Sequence, residues 1–159
     1  MHRDAIRDVM VMTTGEDNEE LTAAPDQKRG DITRTVATHR ATTVTSKVTM
    51  RQLPTKRSGH GVATRIVTNE RTYVVEALRL PGASKSPTLY TARGKVIECD
   101  GLDHQRNDKL KTVSFSVPRS CMGNPRWVRI GVGVFRMNHG PKTFFDDSHR
   151  DGLAGPWTI

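Results

Sequence analysis

Apolar residues return at every second position through much of this chain. From Thr43 to Arg51, Val44, Val48 and Met50 are set against Thr43, Thr45, Lys47, Thr49 and Arg51, the pattern of a strand with one face on a core and the other in water. The same period runs from Lys111 to Val117, where Val113, Phe115 and Val117 are expected inward and Pro118 ends the strand. A further strand opens at Asp31, with Ile32 and Val36 expected on one face before the polar turn His39-Arg40. Val62–Thr68 and Thr72–Leu80 are joined by Asn69-Glu70-Arg71, a connection short enough for a hairpin. Arg126–Met137 is the longest apolar strand, with Val128, Ile130, Val132 and Val134 on one face. Its other face carries Trp127, Arg129, Gly131, Gly133 and Phe135, apolar enough to predict a central strand or one beneath a loop. Val9–Met12, Leu89–Ala92 and Lys95–Cys99 are shorter strands.

Turn chemistry separates these segments. Gly15–Glu20 reads as an acidic turn, and Ala23–Gly30, Pro54–Gly61 and Pro81–Pro87 as loops. The polar run with Asp100, Asp103, His104 and Asp108 reads as a hairpin connection, and the chain from Asn138 onward as a turn-rich tail. No amphipathic helix of useful length is present. The pattern predicts an all-β fold: an antiparallel two-sheet β-sandwich, immunoglobulin-like or jelly-roll-like, of about eight to ten strands with negligible helix. Residues 1–30, a strand followed by an acidic and turn-rich segment, are expected to pack on the same domain as the sandwich core and C-terminal tail of residues 31–159.

The 159 residues suit one domain. Mean hydropathy is low at −0.57, but the apolar residues fall in ordered runs, so the composition is not that of a disordered chain. No run of about 18 apolar residues exists, and no membrane-spanning helix is expected. The net charge of +8 is unevenly spread. Residues 1–27 carry net −5, residues 28–95 net +11 and residues 96–159 net +2. The positive charge therefore lies on the middle strands and loops, with Lys47, Arg51, Lys56, Arg57, Arg65 and Arg79 as candidate binding residues for an anionic surface or polymer. Solubilising charge on the outside of a sandwich explains the same residues.

Two cysteines, Cys99 and Cys121, allow one disulfide, and two separate buried thiols are the alternative. Without a CxxC or a histidine at ligand spacing they make a poor zinc site. A bridge would imply an extracellular or cell-envelope protein. Residues 1–14 lack the apolar core and small-residue cleavage site of a signal peptide, so either a leader has been removed or export follows another route.

Candidate chemistry is sparse. In the run Asp146-Asp147-Ser148-His149-Arg150-Asp151-Gly152, Asp146, Asp147 and Asp151 offer oxygens to a cation such as Ca²⁺, but the spacing is not that of an EF-hand and turn or cap roles explain the same residues. There is no G-x-S-x-G elbow, and Gly131-x-Gly133 lies within a strand rather than before a helix. No enzymatic activity, metal or cofactor is expected. Two Trp, two Tyr and four Phe are present and none is interleaved with the basic residues, so neither a stacking platform nor sequence-specific nucleic-acid binding is expected.

The run from Val117 to Gly133, with Cys121-Met122-Gly123-Asn124-Pro125-Arg126-Trp127 at its centre, resembles a stretch of uncharacterised secreted β-sandwich proteins of actinobacteria. So do Asp146–Gly152 and the opening Gly30-Asp31-Ile32-Thr33-Arg34-Thr35-Val36 with His39. The likeness covers roughly residues 8–157. It implies a sandwich with its two cysteines paired, made with a signal peptide. The opening strand is more distantly similar to sandwiches of the carbohydrate-binding-module and DOMON kind. The expectation is a non-catalytic exported sandwich, a binding or interaction module with a basic face for an anionic surface or partner. A structural or decoration subunit of a larger assembly such as a virion, marked by a large apolar patch, is one alternative. A carbohydrate-binding module, which needs Tyr73, Tyr90, Trp127 or Trp157 open and coplanar, is another.

Overall fold

In the computed structural model, which describes residues 1–15, 18–55, 57–84, 86–137 and 140–148, the alternating segments form two antiparallel sheets packed face to face. The first sheet has the order β1 (His2–Arg3), β4 (Ile32–His39), β5 (Thr43–Met50), β12 (Thr112–Pro118), β11 (Asp103–Asn107). The second runs β10 (Val96–Ile97), β9 (Thr88–Thr91), β7 (Thr72–Leu80), β6 (Gly59–Thr68), β13 (Val128–Met137), β14 (Lys142–Asp147), β2 (Met10–Thr14), β3 (Glu19–Ala23). The two-residue β8 (Ala83–Ser84) pairs with β7. The all-β sandwich expected from the alternation is what the chain forms. Among the described residues the only helical segment is a 3-10 turn at Arg119–Met122, closed by Gly123 in the left-handed region at φ 75°.

Register explains the core. Val128, Ile130, Val132 and Val134 on β13 stand opposite Thr68, Ile66, Thr64 and Val62 on β6, which continue to Tyr73, Val75 and Ala77 on β7. These meet Val44, Val48, Met50, Val113, Phe115 and Val117 from the first sheet. Each fully buried aliphatic or aromatic side chain contributes about 1.5–3 kcal/mol relative to leaving it exposed. One polar pair sits in the layer between the sheets, Ser46 and Thr64, and it is satisfied by a mutual hydroxyl bond of 2.8 Å. β13 lies centrally, between β6 and β14, and on its second face the Phe135 ring packs over Gly61 of β6.

Several readings of the sequence need correcting, among them the Gly15–Glu20 turn, whose last two residues begin β3. The β4–β5 register shifts between Ile32 and Arg34, and this bulge inverts the alternation. Ile32 and Thr35 are therefore buried, while Val36 shares the outer face with its partner Lys47. The polar connection Asp100–Asp108 contains the edge strand β11, whose inward positions carry His104 and Arg106, opposite Phe115 and Val113, in place of apolar residues. The tail after Asn138 contains β14, hydrogen-bonded between β13 and β2. Residues 1–30 are built into both layers: β1 extends the first sheet, and β2 and β3 extend the second.

The disulfide is present: Cys99 and Cys121 are joined at an S–S distance of 2.06 Å. It ties neither a hairpin nor two adjacent strands. Cys99 lies where the chain leaves β10 in the second sheet for β11 in the first, and Cys121 lies in the 3-10 turn where it leaves β12 for β13. The bridge thus fastens two crossings between the layers. Beside it, the Arg119 guanidinium donates to the carbonyls of Ala41 (2.8 Å) and Pro125 (2.6 Å), which fixes the second crossing.

Candidate functional site

The densest gathering of chemical groups lies where the segment between β1 and β2 passes over the start of β4 and the end of β14. Asp146 occupies an inward position of β14 opposite Val134, a place the strand pattern reserves for an apolar residue. Its Oδ2 accepts the Ile32 amide and its Oδ1 the Asp147 amide at 2.9 Å. The neighbouring Asp31 side chain is fully buried, and its Oδ2 takes the Arg51 guanidinium at 2.6 Å and the Arg7 amide at 3.2 Å. Arg7 adopts φ 71°, a left-handed conformation uncommon for a residue with a Cβ, and this turn delivers Asp8. Asp4 is held by its amide to the Thr33 carbonyl at 3.3 Å, and Val9, 1% exposed, anchors the other end of the segment. The result brings carboxylate oxygens of Asp4, Asp8 and Asp146 within 4.8 Å of one another. Burial pushes the Asp146 carboxyl up to about 8, and the charges of Asp8, Asp4 and Asp31 add to the rise while the Ile32 amide opposes it.

Such a cluster does not suit glycosidic acid–base chemistry, whose paired carboxylates stand about 5–9.5 Å apart around a sugar. Hard oxygen donors converging from two segments suit a cation. Of the candidate metal residues from the sequence that are described, Asp146 belongs here and Asp147 does not. Asp147 stands opposite Gly133 on the outer face, because neighbouring strand residues point to opposite sides. Asp151 lies outside the described residues. Asp4, Asp8 and Asp31 were not among the candidates; the single hint in the sequence is the close spacing of Asp4 and Asp8 in an otherwise polar opening segment.

The basic candidates are distributed rather than gathered. Lys47 lies exposed on the outer face of the first sheet. Arg51, one residue beyond β5, is engaged with Asp31. Arg65 stands opposite Gly131 on the outer face of the second sheet. Arg57 is exposed in the loop before β6, and Lys56 lies outside the described residues. Arg79 faces inward, opposite His60, and with His104 and Arg106 it lines a shallow pocket at one end of the sandwich. In that pocket the Ser58 carbonyl accepts from His60 Nδ1 at 2.8 Å, which leaves Nε2 to accept from Arg106 at 3.4 Å and fixes a neutral tautomer. Burial, and then Arg106 and Arg79, hold His60 below the usual histidine range against the opposing Ser58 bond. Burial also lowers His104.

A different set of cations shares one surface. Pairing sets Arg3 directly opposite Arg34, Arg34 opposite Thr49, and Val36 opposite Lys47, all on the outer face of the first sheet. The rows continue through Ser114 and Ser116 on β12 to Gln105 and Asp103 on β11. Asp103, on the far edge strand, is the acidic residue of these rows, and it accepts from Gln105 at 3.1 Å.

No protein-family model, curated protein or solved structure matches this chain.

The aromatic residues divide between surfaces. Tyr73 is in the core at 3% exposure, while Tyr90, opposite Val74, is on the outer face of the second sheet. Trp127 is 44% exposed with the Arg129 guanidinium 5.6 Å from its ring centre, and Trp157 lies outside the described residues. Tyr73 and Tyr90 thus lie on opposite faces of one sheet.

Proposed function

We propose that this protein is an exported, non-catalytic binding module whose five-stranded sheet presents a cationic, hydroxyl-rich face to an extended anionic polymer. The observation that supports this reading is the juxtaposition of Arg3, Arg34 and Lys47 on one face of the sheet among Thr38, Thr45, Thr49, Ser114 and Ser116. Like charges directly opposite each other in a sheet are destabilising, and an anion lying across Arg3 and Arg34 relieves that cost. Thr43 and Thr45 on β5, and Ser114 and Ser116 on β12, are alternate residues about 6.6–6.8 Å apart, so they supply donors along a chain laid on the sheet. Export is supported by the disulfide. No helix among the described residues is long and apolar enough to cross a membrane.

The test is retention of the wild-type protein and the R34E/K47E variant on a sulfated polysaccharide at about 0.15 M salt, where exposed charges more than about 8 Å apart are largely screened. The wild type is expected to be retained and to elute as salt rises, and the variant to flow through. Co-elution of the two would refute the reading.

A second reading, a structural subunit, is favoured by a different surface. Across the outer face of the second sheet, Leu21, Met12, Thr143 and Met137 form one row and Ala23, Met10, Phe145 and Phe135 the next. A wild type that ignores the polysaccharide but self-associates in the ultracentrifuge would replace the first reading with this one.

A further inference from the structure

We propose that Asp4, Asp8 and Asp146 form a divalent-cation site, selective for Ca²⁺, that pins the N-terminal segment across the two layers beside the buried Asp31. The donors are all carboxylate oxygens, a hard set suited to Ca²⁺ or Mg²⁺ rather than to the nitrogen- and sulfur-preferring metals. Their mutual separation of no more than 4.8 Å is the separation of oxygens on one coordination sphere, since Ca²⁺–oxygen distances of about 2.3–2.6 Å place opposite ligands about 5 Å apart. Carboxylates drawn from two segments with no common strand geometry make an irregular cage. Ca²⁺ accepts such a cage, whereas Mg²⁺ demands a near-ideal octahedron and retains its water.

Asp31 gives an independent indication. It is not one of the three converging residues, its side chain is fully buried, and its charge bears on Asp146. Arg51 and the Arg7 amide both bind Oδ2, while Oδ1 is sealed from solvent and accepts no hydrogen bond. A buried carboxylate oxygen without a donor is costly, and a cation beside it removes that cost. The backbone ties Asp31 to the cluster on both sides: Arg7, which binds Asp31, precedes Asp8, and Ile32, which follows Asp31, binds Asp146. The ion would join the crossing from β1 to β2 with the start of β4 in the first sheet and the end of β14 in the second. It would thereby fasten the layers at a third place besides the core and the disulfide.

The full chain, stripped with EDTA and dialysed, is titrated with CaCl₂ while binding is read by calorimetry and the melting temperature by near-ultraviolet dichroism. One ion per chain is expected, with a dissociation constant of about 10⁻⁴–10⁻³ M, as in extracellular modules. At about 10 mM Ca²⁺ the melting temperature is expected to rise by roughly 3–10 °C, and equal MgCl₂ is expected to raise it less. Asp8→Asn and Asp4→Asn, which alter a surface segment rather than the core, are each expected to weaken binding at least tenfold. Asp146→Asn, which keeps only one of the two oxygens that accept backbone amides, is expected to abolish binding. No saturable binding up to 10-fold above that range overturns the proposal, and so does unchanged affinity in both Asp4→Asn and Asp8→Asn. Equal stabilisation by Mg²⁺ overturns the selectivity.

Discussion

Replacing both half-cystines tests how much of the sandwich's stability rests on its fastened crossings. Cys99 and Cys121 are 22 residues apart, and each is half-buried against the core. In the chain-entropy account, closing a loop of about 22 residues removes about 11 cal/mol/K from the unfolded state, or about 3.4 kcal/mol at 25 °C. For a chain of this size that corresponds to a melting temperature lower by about 7–14 °C. The assay is guanidinium unfolding of three forms: oxidised wild type, reduced wild type and Cys99→Ala/Cys121→Ala. The reduced and doubly substituted proteins are expected to unfold together at lower denaturant, and with a steeper slope because an unbridged chain exposes more surface. Coincident midpoints for the oxidised and reduced wild type would refute the reasoning. A double variant much less stable than the reduced wild type would show that sulfur packing, rather than loop closure, supplies the difference.

Two further outcomes follow from the geometry. A Cβ on Gly61 would stand 2.3 and 2.4 Å from Cε1 and Cζ of Phe135, its cross-strand partner, so Gly61→Ala is expected to destabilise by about 1–3 kcal/mol. In Phe135→Ala the same change should cost almost nothing; an equal cost in both backgrounds, read from urea midpoints, would place the strain elsewhere. Because His60 titrates below its usual value when folded, the unfolded chain takes up protons first as pH falls. The contribution of neutral His60 is therefore full above about pH 6.5 and is lost as pH drops through that value. Asp146, raised to about 8, tilts the wild-type curve the opposite way between its two pKa values, so the informative quantity is the difference from His60→Gln. That difference in unfolding free energy is expected to fall between pH 7.5 and 5.5, and a flat difference would refute the assignment.

The strands that the sequence predicts well are those whose environment matches a simple rule. β5 and β12 are neighbours in the middle of the first sheet, with one face on the core and one in water, and their alternation is nearly intact. The β6–β7 hairpin is legible because Thr68 closes the turn itself: its hydroxyl accepts the amides of Glu70 and Arg71 and donates to the Arg71 carbonyl. The strands missed are those where another demand outweighs the pattern. β3 and β11 are edges, where a polar flank guards against unwanted pairing. β14 is internal, but one of its inward positions is Asp146, and a strand with an acid in its core face does not read as one. The bulge in β4 has no signature in residue type, so the burial of Thr35 in place of Val36 emerges only from its pairing with β5.

The surfaces that could act are harder to read for the same reason. Alternation correctly turns Lys47 outward, yet it cannot say which strands lie beside it. Pairing supplies Arg34 from β4 and then Arg3 from β1, two residues that no local pattern singles out, and assigns Arg65 to the opposite layer. The acidic centre is more remote still: Asp4 and Asp146 lie at opposite ends of the chain, and they meet only because β1 joins one sheet while β14 joins the other. In this sandwich the crossings between layers, rather than the strands, concentrate the unusual chemistry. Two of them share the disulfide, and the first, from β1 to β2, carries Asp4 and Asp8 into the acidic centre. An alternation rule describes the inside of each sheet and is silent about where the chain changes sheet, which is why the cations and acids that matter here fall outside the pattern that foretold the fold.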